Sequence, residues 1–325
     1  MTADPPATSA QKTAGKRDIQ HFWETVYKTA YTDHDSRLTR ETLLQALDDL
    51  EDMFRFREHM ATIEMDLHSL SGKKVLEIGS GAGGHSALFS KYGAKMTSCD
   101  ITFVRAAETQ RKFDLLAEIA NGCQAMQSDA ENLPFADNSF DIVYSNGVLH
   151  HTEDTQRAID EAYRVLKPGG RAVIMLYCKS SFDYWFNFWF CRGLLCGAMF
   201  KSRNWLGHTS EWIGSSDQTA VNPVTRCYTG AQLRRMFAVF GNLSFRKSEF
   251  YFYLVPKLGR IYRRWQIRRY GVHPGGAIVY GEPWPIWSPL EAWLGKKIGW
   301  AWYIRAEKNE ERMTTQRRPK GNLPE

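Results

Sequence analysis

Residues 75–86 read VLEIGSGAGGHS: an apolar run closes on Glu77, and four glycines follow within positions 79–84. Gly79, Gly81 and Gly84 satisfy G-x-G-x-x-G after strand-forming residues, the pattern of a turn that delivers a ligand to a helix N-terminus. The ordinary occupant of such a loop is a dinucleotide pyrophosphate. Glu77 changes that reading. A carboxylate at the C-terminal end of the strand, pointing toward the ligand crevice, repels phosphate and suits a cationic, amine-bearing ligand.

Two further acids fit the same ligand. Asp100 stands about 20 residues beyond the loop, where an acidic side chain accepts hydrogen bonds from ribose hydroxyls. Asp129 ends a third apolar run and is followed by Ala130, so the carboxylate can accept from an adenine amino group while the backbone amide donates to the ring. Together they describe a nucleoside with a positive head and no phosphates, which S-adenosylmethionine matches.

Around these acids the chain alternates. KKVLEIG, AKMTSCD, CQAMQSD, FDIVYSN and RAVIMLY are short apolar runs separated by helical segments, which predicts βαβ units and a parallel sheet. Two later strands are expected at 245–254 and 299–308, with a helix from Thr229 to about Phe240 leading into the first. Upstream, Ile19, Phe22, Trp23 and Val26 recur at helical spacing, and Thr39 is a plausible N-cap for a longer helix to about Leu70.

The chain resembles class I S-adenosylmethionine-dependent methyltransferases of the small-molecule type related to quinone methyltransferases. LEIGSGAGGHS resembles the family's first motif, CDIT its second-strand acid, SDAENLPFADNSFDIVYSNGVLHHTED its third- and fourth-strand motifs, and RVLKPGGRAVIMLY its turn into strand five. The resemblance implies a Rossmann-like α/β fold with a seven-stranded methyltransferase sheet, an N-terminal helical cap and two insertions. It implies cofactor contacts from Glu77, Gly79, Ser80 and Gly81, from Asp100 and Ile101 at the ribose, from Asp129 and Ala130 at the adenine, and from Asn146 beside the methionine moiety.

Methyl transfer from a sulfonium is an in-line displacement that needs a dry site and an aligned nucleophile. A dedicated catalytic residue is therefore optional. For a hydroxyl or acidic-carbon acceptor, His150 and His151 follow strand four where the acceptor approaches and are the candidate bases; the competing reading makes them packing residues.

Two insertions bear on the acceptor. In FDYWFNFWFCRGLLCGAMF (182–200), Asp183 and Asn187 fall one helical turn apart while Phe182, Trp185, Phe186, Trp189 and Phe190 cover another face. Asp183, Asn187 and Arg192 make the stretch too polar to span a bilayer. It is either a lid packed on the core or an apolar acceptor pocket or interfacial anchor. From Lys257 to Arg269 there are six basic residues and no acid, and Leu258, Ile261, Tyr262 and Trp265 follow the i, i+3, i+4, i+7 pattern. Residues 257–270 thus suit an anionic membrane surface, or else a helix packed through that stripe.

The divisions expected are a disordered tail at 1–17, a helical cap at 18–70, a cofactor-binding core at 71–178, an aromatic insertion at 179–228, the rest of the sheet at 229–308 with a basic insertion at 255–298, and a disordered tail at 309–325. The 325 residues carry a formal charge of +6, and the six cysteines show no paired spacing and no CxxC. Reduced thiols, no metal and a cytoplasmic location follow, the last because the first residues hold no apolar signal segment. Nucleic acid is not an expected partner, since the positive charge is localised rather than spread along a face. The acceptor expected is small and hydrophobic, with a soluble sugar or amino-acid derivative, an NAD(P)-dependent oxidoreductase and a non-catalytic cofactor-binding protein as the alternatives. Oligomeric state is open.

Overall fold

The computed structural model describes residues 15–214, 219–252, 255, 257–270 and 288–310. Most of both expected tails, and residues 271–287 of the basic insertion, lie outside these.

Four helices come first: α1 (Lys16–Ala30), α2 (Thr32–Asp35), α3 (Arg40–Phe56) and α4 (Met60–Ile63). The alternating region follows as β1 (Lys74–Ile78), α5 (Gly84–Lys91), β2 (Lys95–Asp100), α6 (Phe103–Leu115), β3 (Gln124–Gln127), β4 (Phe140–Asn146), α7 (Thr155–Val165) and β5 (Leu166–Tyr177). A π-helix (Asp183–Leu195), α8 (Ala198–Lys201), α9 (Trp205–Ser210) and the hairpin β6 (Trp212–Gly214) and β7 (Thr219–Val221) form the first insertion. The chain ends with α10 (Gly230–Met236), β8 (Leu243–Ser248), α11 (Leu258–Tyr270), α12 (Pro289–Ile298) and β9 (Ala301–Glu307).

The seven-stranded sheet has the order β3-β2-β1-β4-β5-β9-β8. β1 to β5 run parallel, and β9 lies antiparallel between β5 and β8. Strand order reverses between β1 and β4, so the connections leave on opposite faces there and open a crevice beyond the strand ends.

The side-chain period of two sorts the strands between two cores. Val75, Tyr144 and Val173 pack with Leu47, Phe54 and Phe89 on one face, whereas Leu76, Val143 and Ile174 pack with Ile159 and Phe237 on the other. The helical cap is tied down through a buried Lys112–Asp35 ion pair (3.0 Å), and Asp35 also accepts from the Tyr27 hydroxyl at 2.9 Å. Removing one partner of such a buried pair costs about 3–5 kcal/mol.

Three expectations about elements are corrected. α1 begins at Lys16, so Gly15, Lys16 and Arg17 belong to the folded cap rather than to a tail. Thr39 does cap α3, accepting from the Thr42 amide, but the helix stops at Phe56 and not near Leu70, because Glu58 has φ 47°, a left-handed conformation no α-helix continues through. The strand expected to reach residue 254 ends at Ser248 for the same reason, Glu249 having φ 64°. Among the described residues, no helix is long and apolar enough to cross a membrane.

Candidate functional site

A cavity of about 630 Å3 opens at the crevice, roomy enough for a nucleoside cofactor and part of a second molecule. Its floor is the glycine loop and the ends of β1, β2 and β4. Its roof is α1, whose Ile19, Phe22, Trp23 and Val26 all line it. The apolar stripe read from the sequence is therefore a wall of the site.

The loop makes its turn because glycine can. Gly79 and Gly81 have φ 79° and 56°, and a Cβ at Gly79 would lie 2.2 Å from Val148 Cγ2. The Gly79 and Ser80 amides donate to the Cys99 carbonyl at 2.7 and 3.1 Å, which pins the loop to β2. Asp100 is held from three directions: Gly81 N–H donates to Oδ2 at 3.1 Å, and the Thr102 amide and hydroxyl both donate to Oδ1 at 2.9 Å. Its carboxylate is thereby fixed at the cavity wall, with Ile101, Asp129, Ala130 and Asn146 lining the same space.

Asn146 Oδ1 is a buried acceptor with no hydrogen-bond partner. An unpaired buried acceptor on a residue that lines a cavity is where a ligand's donor can be taken up, and an α-ammonium group is such a donor. The residues present thus suit a nucleoside bearing a cationic amino-acid tail.

Glu77 and Ser80 do not join them at the cavity surface. Glu77 follows Leu76 and so shares the face of Val75, under α5, where its carboxyl accepts from the Ser86 hydroxyl. Burial pushes it up to about 8. His85 Nδ1 is 3.9 Å from Glu77 Oε1, but burial pulls that imidazole down to about 4, so the two meet as neutral groups. The expectation that Glu77 points into the crevice is corrected by the pleat of β1. Ser80 turns inward and accepts from the Thr109 hydroxyl at 3.0 Å.

The two histidines separate. His151 lines the cavity, whereas His150 is fully buried behind the wall, its ring 3.8 Å from that of Tyr177, with neither nitrogen hydrogen-bonded. Burial holds His150 well below the usual imidazole range. As placed, it does not reach an acceptor in the cavity, which corrects its reading as a base.

Several wall residues carried no motif. Glu211, from the first insertion, stands 3.2 Å from His151 Nε2 and also accepts from the Tyr177 hydroxyl and the Asn222 amide. Burial alone would raise its pKa; His151, Tyr177 and Asn222 together hold it below the ordinary value. Lys16 pairs with Asp129 and lies 3.4 Å from Glu131, and Arg105 sits 5.0 Å over the Trp23 ring. All six cysteines are unpaired.

Comparison with known proteins gives this geometry a family context. Residues 76–174 match the family model described as a methyltransferase domain. Over 114 residues the chain is 34% identical to the ubiquinone/menaquinone biosynthesis C-methyltransferase of Haemophilus ducreyi, a match covering 34% of this chain and 44% of that protein. Over 106 residues it is 37% identical to the demethylmenaquinone methyltransferase of Thermobifida fusca, covering 32% and 43%. The chain thus matches less than half the length of these relatives. A SAM-dependent methyltransferase from Thermotoga maritima aligns with a TM-score of 0.46 at 19% identity, covering 83% of this chain and 99% of that one.

Proposed function

We propose, for a chain whose residues 76–174 form a class I S-adenosylmethionine-dependent methyltransferase domain, that the whole protein transfers the methyl group to a small lipophilic acceptor, of which a quinol-like ring is the best candidate. The observation that carries the proposal is the cavity. It joins Asp100, Asp129 and the unpartnered Asn146 Oδ1 to an apolar roof of Phe22, Trp23 and Val26.

In this reading Asp100 takes the ribose hydroxyls, Asp129 and the Ala130 amide the adenine, and Asn146 the ammonium of the bound cofactor, which supplies an electrophilic methyl group. The chain's own contribution is alignment and dryness. α1 covers the cavity, and the polar group His151–Glu211–Tyr177 lies in its wall where an acceptor's hydroxyl or enol can be oriented. Quinone methylation in the two relatives supports the choice of a ring acceptor for the matched stretch.

The insertions support a lipophilic source. The π-helix buries Asp183 and Asn187 together with Tyr184 and Phe188, while Trp185, Phe186 and Phe190 are exposed on its other side. α11 is arranged likewise, with Gln266 buried and Leu258, Ile261 and Trp265 exposed beside Arg260, Arg264 and Arg268. A chain of ring contacts, Phe182–Phe250–Phe252–Tyr262, links the two elements through Phe250 and Phe252. Exposed aromatics beside exposed arginines suit an anionic lipid surface, from which such an acceptor would enter.

The test is release of S-adenosylhomocysteine from S-adenosylmethionine in the presence of short-chain quinols, set against sugar and amino-acid acceptors. Turnover with quinols alone supports the proposal, and turnover confined to the soluble acceptors overturns it.

A further inference from the structure

His150, His151 and Glu211 each offer one ligating atom, and the three atoms lie within 4.8 Å of one another. His151 Nδ1 is 2.7 Å from the Val224 carbonyl oxygen, which only accepts, and 3.0 Å from the Asn222 side-chain nitrogen, which already donates to Glu211; a proton on Nδ1 satisfies the shorter contact. Nε2 then presents a lone pair to the Glu211 carboxylate at 3.2 Å. Two electron-rich atoms at that distance require a positive charge on or between them. A proton on Nε2 would satisfy this pair alone and leave both buried nitrogens of His150 unbonded. A metal cation satisfies the His151–Glu211 pair and also takes up one of the two unbonded His150 nitrogens.

We infer that His150, His151 and Glu211 bind a divalent transition-metal ion of the zinc class at the acceptor end of the cavity. Two imidazoles and one carboxylate make a three-ligand set with a remaining open position; the hard cations magnesium and calcium prefer oxygen donors alone. The surrounding hydrogen bonds are those that hold such ligands in place. The Val224 carbonyl orients His151, and the Tyr177 hydroxyl and Asn222 amide orient Glu211. In a tetrahedral zinc site the ligand atoms are about 3.4 Å apart, so the widest separation here would close by at most about 1.4 Å on loading, while the His151–Glu211 pair is already there.

His151, Glu211 and Tyr177 line the cavity while His150 lies behind its wall, so the ion would sit in the wall beside the acceptor's space. There the ion would hold an acceptor oxygen and make its proton easier to lose. That role rests on the proposed methyl transfer, whereas the binding itself does not.

The experiment uses the full, tag-free chain, stripped with a chelator and titrated with Co2+ under visible absorption, then with Zn2+ in competition. A single site is expected, with the intense ligand-field absorption of four-coordinate cobalt and its loss on adding zinc. His150→Gln and Glu211→Gln are each expected to weaken binding about a hundredfold or more, while S-adenosylhomocysteine still binds both variants and reports that they fold. Absence of cobalt binding in the unaltered chain overturns the inference, as does a sulfur-to-cobalt charge-transfer band that places the metal on cysteines. Metal binding without S-adenosylhomocysteine binding leaves the site standing and removes the cofactor reading.

Discussion

Lys16 Nζ, in the first turn of α1, pairs with the carboxylate of Asp129 at the end of the cavity assigned to adenine. The roof helix is thus latched to the acid that the cofactor is proposed to use. Both side chains are partly exposed, 42% and 28%, so the pair is worth at most about 1 kcal/mol. Lys16→Ala is expected to leave stability nearly unchanged and to tighten S-adenosylhomocysteine up to about fivefold, as read by calorimetry. Weaker binding in this variant would mean that Lys16 itself holds the ligand.

Glu77 lies under α5 and keeps its proton below a pH of about 8. Glutamine has the same shape and the same neutrality. Glu77→Gln is therefore expected to change cofactor affinity by less than about threefold at neutral pH. A loss of tenfold or more would show that the carboxylate reaches the ammonium after all.

Asp183 is buried in the π-helix, and desolvation raises it from its ordinary value to about 6. A carboxyl whose folded pKa exceeds its unfolded value destabilises the native state progressively as pH rises from the unfolded pKa through the folded one, and adds nothing below both. Asp183→Asn should thus gain up to about 3 kcal/mol above pH 6 and close to nothing near pH 3. Urea unfolding at both ends of that window measures the difference, and a gain that does not depend on pH would contradict it.

The exposed aromatics and arginines predict binding to anionic vesicles that falls with salt. Neutralising Arg260, Arg264 or Arg268 singly should weaken cosedimentation about fivefold each, and Trp265→Ser should weaken it at any ionic strength. Cosedimentation indifferent to these changes would count against a lipid surface.

Much of the core was legible because its signals are local. The glycine spacing, the strand-end acids Asp100 and Asp129, and the α1 stripe each lie within a few residues and map directly to the cavity. The direction of the Glu77 side chain is not legible, because a parallel strand buried on both faces is apolar on both and its pleat is silent in the sequence. Lys16 was hidden in a polar run that resembles a tail. Glu211 carries no motif; it reaches His151 only through the packing of an insertion, across 60 positions of sequence. The two faces of the aromatic helix are legible from periodicity, but which face turns outward depends on the burial of Asp183 and Asn187, and periodicity alone does not decide that.

The most direct measurement is calorimetric titration of the chain and of Asp100→Ala with S-adenosylhomocysteine, with NAD(H) in parallel. The account predicts micromolar or tighter binding by the unaltered chain, a loss of about a hundredfold in the variant through the missing ribose bonds to a charged group, and no binding of NAD(H). Equal affinity in the two proteins, or binding of NAD(H) in place of S-adenosylhomocysteine, would contradict it.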